Sequence, residues 1–247
     1  MNPNYLDYKK KFDIDGYFIF KNFLNSELVL RLVEDINKAI DVEKYFDNKN
    51  NLRRIEKIFN KGKNLIYLND KILTLLKDIF ETKFTIFKDK FNSKPPGGEG
   101  FFAHYDGIFK FKDSNDDKKN GWYEYADFFL NALLAIDKCD KNNGSIELAK
   151  THKGNFYELY DKTKKDGTPA LSKEVEARTS FDLIDLDPGD LIIFSNTCPH
   201  RSKKNNSNKN RRIIYYTYTL SENGSKYEEY FNDKKNSKGK SKALSEK

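Results

Sequence analysis

Hydrophobic positions change their spacing about a third of the way along the chain. Residues 25–44, NSELVLRLVEDINKAIDVEK, set Leu28, Leu30, Val33 and Ile36 near helical spacing behind Asn25 or Ser26 as cap, which predicts an amphipathic helix. Residues 69–83, NDKILTLLKDIFETK, predict a second, capped by Asn69 or Asp70. Ahead of both, DGYFIFKNFL (15–24) reads as a short strand and a turn. From about residue 84 the period falls to two. KFTIFKDKF alternates, KPPGGEG breaks the chain, and FFAHYDGIF resumes an aromatic strand pattern. Further short strands are predicted at 126–137, 144–150, 181–186, 190–196 and 211–220, separated by turn chemistry such as KNNG and DPGD. No repeat or linker interrupts them. Helices first and strands afterwards predict an α+β domain whose second part is a β-sandwich or barrel.

Composition alters this picture only in places. A chain of 247 residues suits one core, and 20 Phe and 15 Tyr favour strands over a helical bundle. The formal charge of +7 raises nucleic acid or a membrane surface as a partner. The lysines are scattered, however, so neither partner is expected. Their one dense run, NDKKNSKGKSKALSEK, reads as a solvated, disordered tail; a single domain is expected over 1–222 and the tail over 223–247. No apolar run approaches the roughly 18 residues of a membrane span, and the N-terminus lacks a signal-peptide apolar region, so a soluble cytoplasmic protein is expected. Cys139 and Cys198 have no CxxC spacing, which fits a reducing compartment and leaves a disulfide between them open.

The chemistry is concentrated around three histidines. On a strand, residues i and i+2 share a face, so His104 and Asp106 of GFFAHYDGIF can point together with Tyr105 on the other side. A third ligand must come from His152 or His200. His200 follows a strand and a Pro-restrained turn in GDLIIFSNTCPHRS, a position at the rim of a barrel. Two histidines and one carboxylate with open positions make the facial triad of non-haem Fe(II) oxygenases. Arg211, at the start of the next strand, can fork onto a carboxylate, and Ser202 can add a hydroxyl. The residues suggest iron plus a dicarboxylate.

The ordered segments KPPGGEGFFAHYD, LLAIDKCDKNNGSIELAKTHKGN and DLDPGDLIIFSNTCPHRSKKNNSNKNRRIIYYTYT resemble the phytanoyl-CoA dioxygenase family of iron- and 2-oxoglutarate-dependent oxygenases. The opening FDIDGYFIFKNFLNSELVLRL is similar too, so the resemblance spans roughly residues 8–220. It implies a double-stranded β-helix, or jelly-roll, core with His104, Asp106 and His200 as iron ligands. It also implies Arg211 as the partner of the 2-oxoglutarate C5 carboxylate, assisted by Ser202. The cofactors would be Fe(II), 2-oxoglutarate and O2, and the reaction hydroxylation of a small molecule with decarboxylation of 2-oxoglutarate to succinate. Related halogenases lack the carboxylate ligand, so Asp106 favours oxygenation. A non-catalytic jelly-roll binding protein is the alternative.

Two positions depart from the family. The chain has AKTH where a Pro-Gly-Ser-His pattern is usual, so His152 reads as structural or supporting, and Tyr105 stands where many members have Gln. Tyr105, Phe102 and Trp122 are therefore candidates for contact with substrate. Lys88 could reach 2-oxoglutarate or an anionic substrate, as could Lys90, although surface exposure is the commoner state for each. Asn131, polar inside an apolar strand, would bond the co-substrate or only a neighbouring backbone. Asp113, Asn115, Asp117 and Glu124 imitate a calcium loop, but Lys118 stands where its glycine is required; the segment reads instead as a polar insertion near the site mouth.

Overall fold

The computed structural model describes residues 3–113, 115 and 117–236. Its helices are α1 (Pro3–Asp15), α2 (Ser26–Lys38), α3 (Lys63–Phe80), α4 (Phe156–Tyr160), α5 (Lys173–Arg178) and α6 (Tyr227–Asn236). The first strands are β1 (Tyr17–Phe20), β2 (Glu43–Phe46), β3 (Leu52–Glu56), β4 (Phe84–Lys94), β5 (Phe101–His104), β6 (Phe111–Lys112) and β7 (Lys118–Lys119). They are followed by β8 (Phe129–Ala135), β9 (Ile146–Leu148), β10 (Asp182–Leu183), β11 (Leu191–Ser195), β12 (His200–Ser202) and β13 (Arg211–Leu220). A seven-stranded sheet runs β1-β11-β8-β13-β4-β3-β2, and a four-stranded sheet runs β10-β9-β12-β5. The strand pairings within these two sheets are antiparallel, giving the jelly roll, with α1, α2, α3 and α6 packed on the large sheet and α4 and α5 beside β5 of the small one.

The central strands of the large sheet are apolar at consecutive positions because both of their faces are buried. Leu134, Ile193, Ile214, Tyr216 and Tyr218 face the core shared with α1, α2, α3 and α6. Their neighbours Leu133, Ile192, Ile213 and Tyr215 face the second core between the sheets, with Ile146 and Leu148 from the small one. Strand alternation thus produces two apolar layers from one continuous run.

Several elements differ from the sequence expectation. The helix expected over 25–44 stops at Lys38; Asp41 is left-handed at φ 54°, and the chain leaves as β2 to pair with β3. The helix expected over 69–83 begins a turn and a half earlier, at Lys63, because its cap is supplied from α2. Asp35 Oδ2 accepts the backbone N–H groups of Asn64 at 2.7 Å and Leu65 at 3.3 Å. Asn69 is no cap; it lies inside α3, where its side-chain oxygen accepts the Tyr218 hydroxyl. Cys139 and Cys198 are both free and buried, and burial pushes each thiol up to about 12.

The tail expected from residue 223 requires correction as far as residue 236. Helix α6 buries Tyr227, Tyr230 and Phe231 against the large sheet. The Tyr227 hydroxyl donates to Asp89, which also accepts three backbone N–H groups from residues 57–59. Burial outweighs these bonds and raises the Asp89 carboxyl to about 6. Lys234 pairs with the buried Glu56. The aromatic residues were outweighed in the sequence by the lysines around them, and residues 237–247 lie outside the described residues. Phe231→Ala is expected to destabilise the protein by about 3 kcal/mol, read as a lower denaturant midpoint with an unchanged slope.

Candidate metal centre and active site

The site lies between the sheets at the end where the inner layer turns polar. Antiparallel pairing of β5 with β12 sets His104 opposite His200, with ring centroids 4.1 Å apart. Asp106, two residues beyond β5, is fixed by its own backbone: its N–H donates to the Asn196 carbonyl at 3.2 Å, and its carbonyl accepts Asn196 Nδ2 at 3.2 Å. Gly107 then turns the chain at φ 77°, and a Cβ there would fall 2.6 Å from Trp122 ring atoms. Glycine thereby admits the indole against the ligand loop.

One ligand atom from each of His104, Asp106 and His200 falls within 4.8 Å of the other two. Each imidazole turns Nδ1 to a backbone carbonyl, His104 to Phe102 at 2.9 Å and His200 to Cys198 at 3.1 Å. Against a carbonyl, Nδ1 must carry the hydrogen, which leaves the Nε2 lone pair for a metal. The two Nε2 atoms lie 3.8 and 3.6 Å from Asp106 carboxylate oxygens. Burial holds His104 down to about 3 and also lowers His200. Burial acts to raise Asp106, but the imidazoles, Lys90 and Lys88 outweigh it and hold the carboxyl at about 2. All three groups are therefore in their ligating forms, and the donor set fits iron.

Asn131 does not reach the cavity. Its Nδ2 donates to Asp106 Oδ2 at 2.9 Å, and its Oδ1 accepts the Thr217 hydroxyl at 2.8 Å. It aims the carboxylate instead of holding a co-substrate, which corrects the sequence expectation and explains a polar residue in an apolar strand.

Arg211 and Ser202 both line the cavity beside the histidines. The buried Arg211 guanidinium donates Nη2 to the Gly144 carbonyl at 3.1 Å, while its buried Nε has no partner among the described residues. An unpaired buried guanidine N–H fits an incoming carboxylate. Arg212, on the opposite face of β13, grips Asp137 through Nε at 2.8 Å and Nη2 at 2.9 Å. Lys94 of β4, paired with Arg211 of β13, donates to Ser202 Oγ at 2.8 Å and orients it.

Neither Lys88 nor Lys90 stands free on the surface: the first is buried and the second partly so. Lys88 is 5% exposed, donates to the Tyr230 hydroxyl at 3.2 Å and lies 4.9 Å from the Trp122 ring centre. Lys90 is half-buried and 4.5 Å from the Tyr215 ring centre. Burial lowers both ammonium groups, Lys90 to about 7. Both line the cavity together with Trp122. Sequence reasoning missed the cavity residues Arg54, Asn92, Lys94 and Tyr215. The available signal was the period-two series Lys88, Lys90, Asn92, Lys94, one strand face directed to the site.

Two substrate candidates fall elsewhere. Phe102 is 38% exposed and contributes its carbonyl to His104; Phe101 lines the cavity in its place. Tyr105 is buried on the far side of β5 among Ala103, Ile108, Phe156, Leu159 and Leu171, its hydroxyl 2.6 Å from His152 Nδ1. Strand alternation that directs His104 and Asp106 inward directs Tyr105 away. His152 is thus its partner and no metal ligand. Tyr105→Phe is expected to lower stability by about 1 kcal/mol while leaving the ratio of kcat/KM between competing substrates unchanged, checked by melting and competition assays.

The family model for phytanoyl-CoA dioxygenase matches residues 12–213. The chain belongs to that family and is an oxygenase that uses iron and 2-oxoglutarate. It is 26% identical to a 2-aminoethylphosphonate dioxygenase from an uncultured bacterium, HF130_AEPn_1, over 92% of this chain and 86% of that one. It is 28% identical to a methylphosphonate hydroxylase of Gimesia maris over 62% of this chain and 52% of that one. In fold it is similar to the epimerase SnoN in complex with Fe3+, alpha ketoglutarate and nogalamycin RO. The TM-score is 0.66 at 14% identity, covering 89% of this chain and 85% of that one. Among the described residues no helix is long and apolar enough to cross a membrane.

Proposed function

We propose that the protein hydroxylates a C–H bond of a small anionic molecule, converting 2-oxoglutarate to succinate and CO2. One oxygen atom of O2 enters the succinate carboxylate and the other the new hydroxyl group, so the reaction balances without a further reductant. The observation that carries this reading is one cavity lined by a facial His104/Asp106/His200 set and by an arginine with an unpaired buried N–H.

In this reading His104, Asp106 and His200 hold Fe(II), and Arg211 with Ser202 holds the distal carboxylate of 2-oxoglutarate. When bound, iron supplies the activation of O2 that no side chain can provide. The protein's own part is positional. Carbonyls of Phe102 and Cys198 lock the imidazoles, Asn131 fixes the carboxylate, and Lys94 sets the Ser202 hydroxyl. Trp122, Phe101 and Tyr215 wall the cavity and restrict water.

An anionic substrate is supported by the cationic cavity lining and by the phosphonates in the names of two relatives. Incubation with Fe(II), 2-oxoglutarate and ascorbate over methylphosphonate and 2-aminoethylphosphonate is the direct test. Succinate is expected to form one-for-one with hydroxylated product. Absence of succinate with every candidate, together with failure to form the coloured Fe(II)–2-oxoglutarate complex, overturns the reading.

A further inference from the structure

We propose that Lys88 and Lys90 form a subsite for a tetrahedral dianionic headgroup, a phosphonate, and that this pair selects the substrate. The inference rests on the oxygenase reading above and adds to it the residues that recognise the substrate. Most cations lining the cavity are already engaged. Arg53 bonds the Ser93 carbonyl, and Lys94 bonds Ser202 and the carbonyls of Gly144 and Lys203. Arg201 is paired with Glu147 and Glu176, and Arg54 lies 3.7 Å from Glu56. Arg211, on the other strand flank, is suited to the distal carboxylate of 2-oxoglutarate.

Lys88 and Lys90 differ from these. Among the described residues neither has a carboxylate within 4.0 Å. The groups in contact with them are aromatic, Trp122 and Tyr230 for Lys88 and Tyr215 for Lys90, while Glu56 and Asp106 act on both from further away. Both line the same cavity as His104, Asp106 and His200, so they border the metal set. An ammonium group taken from water with no carboxylate in contact is unfavourable, and two on one strand face compound the effect. A ligand bearing two negative charges on one centre relieves both at once. The i, i+2 spacing sets the two stems side by side, about 7 Å apart at Cα, and their flexible ends can converge on one small group. A monoanionic carboxylate would compensate only one of them.

The test compares wild type with Lys88→Met and Lys90→Met, using methylphosphonate and 2-aminoethylphosphonate as probes against acetate and β-alanine as their carboxylate counterparts. Each substitution is expected to raise the phosphonate KM by at least about 30-fold and leave the KM for 2-oxoglutarate within about three-fold. Both ligand-free variants are expected to melt no lower than wild type, since an ammonium group with no carboxylate in contact has been replaced by an apolar chain of similar length. Phosphonate added to the Fe(II)–2-oxoglutarate complex should raise the melting temperature of wild type and of neither variant, a readout that needs no turnover. A rise in the 2-oxoglutarate KM instead, or equal use of carboxylates and phosphonates by wild type, overturns the subsite. So does a wild-type protein that forms the coloured complex and shows no response to phosphonate. Failure to form that complex overturns the oxygenase reading itself.

Discussion

Asp106→Ala is expected to lower kcat/KM by more than about 1000-fold, with loss of iron affinity as the cause. Asp106 is the one anionic member of the ligand set, and its carboxyl is held ionised at about 2 by the imidazoles, Lys90 and Lys88 against the effect of burial. Alanine leaves two neutral imidazoles and strands the Asn131 Nδ2 donor that now bonds Oδ2 at 2.9 Å. Asn131→Ala keeps the carboxylate but frees its rotation, so a smaller loss, about 10- to 100-fold in iron affinity, is expected. Competition with a chromogenic chelator measures both, and circular dichroism checks that each variant is folded. Unchanged iron affinity in Asp106→Ala would remove this residue from the ligand set.

The difference between these two residues also marks what could be read from the chain. His104 and Asp106 are separated by one residue on a strand, so their common face follows from local geometry alone. His200 required only the assumption that a second strand end lies opposite, and β5–β12 pairing provides it. Asn131 is 25 positions from its carboxylate partner, and nothing in FFLNALLA distinguishes a residue that aims a ligand from one that meets a co-substrate. Lys88 and Lys90 were misjudged for a different reason. Lysine is rarely buried without a partner, so exposure is the usual inference, and functional sites are where such usual inferences fail. The long amphipathic helices and β13 were visible because their periodicity is local. The start of α3 was not, because its cap is a side chain of α2 reached only after folding. Helix α6 was hidden by composition: three buried aromatics sit within a run dominated by charge.

Arg211→Ala is expected to raise the KM for 2-oxoglutarate by roughly 30- to 1000-fold, the range for removing one partner of a buried charge pair, with a smaller fall in kcat. The guanidinium is anchored by one bond to the Gly144 carbonyl and presents its unpaired Nε, so it is already oriented before a carboxylate arrives. Arg211→Lys keeps the charge and loses the fork, and its KM should lie between those of wild type and Arg211→Ala. The informative control is the adjacent arginine. Arg212→Ala breaks the two-bond grip on Asp137 at the outer face and should lower stability while leaving the 2-oxoglutarate KM unchanged. Neighbouring residues of identical type then separate cleanly, one in co-substrate binding and one in stability, because consecutive positions of β13 face opposite sides of the sheet. Equal 2-oxoglutarate KM values for wild type and Arg211→Ala would mean that the dicarboxylate is held from the other flank of the cavity.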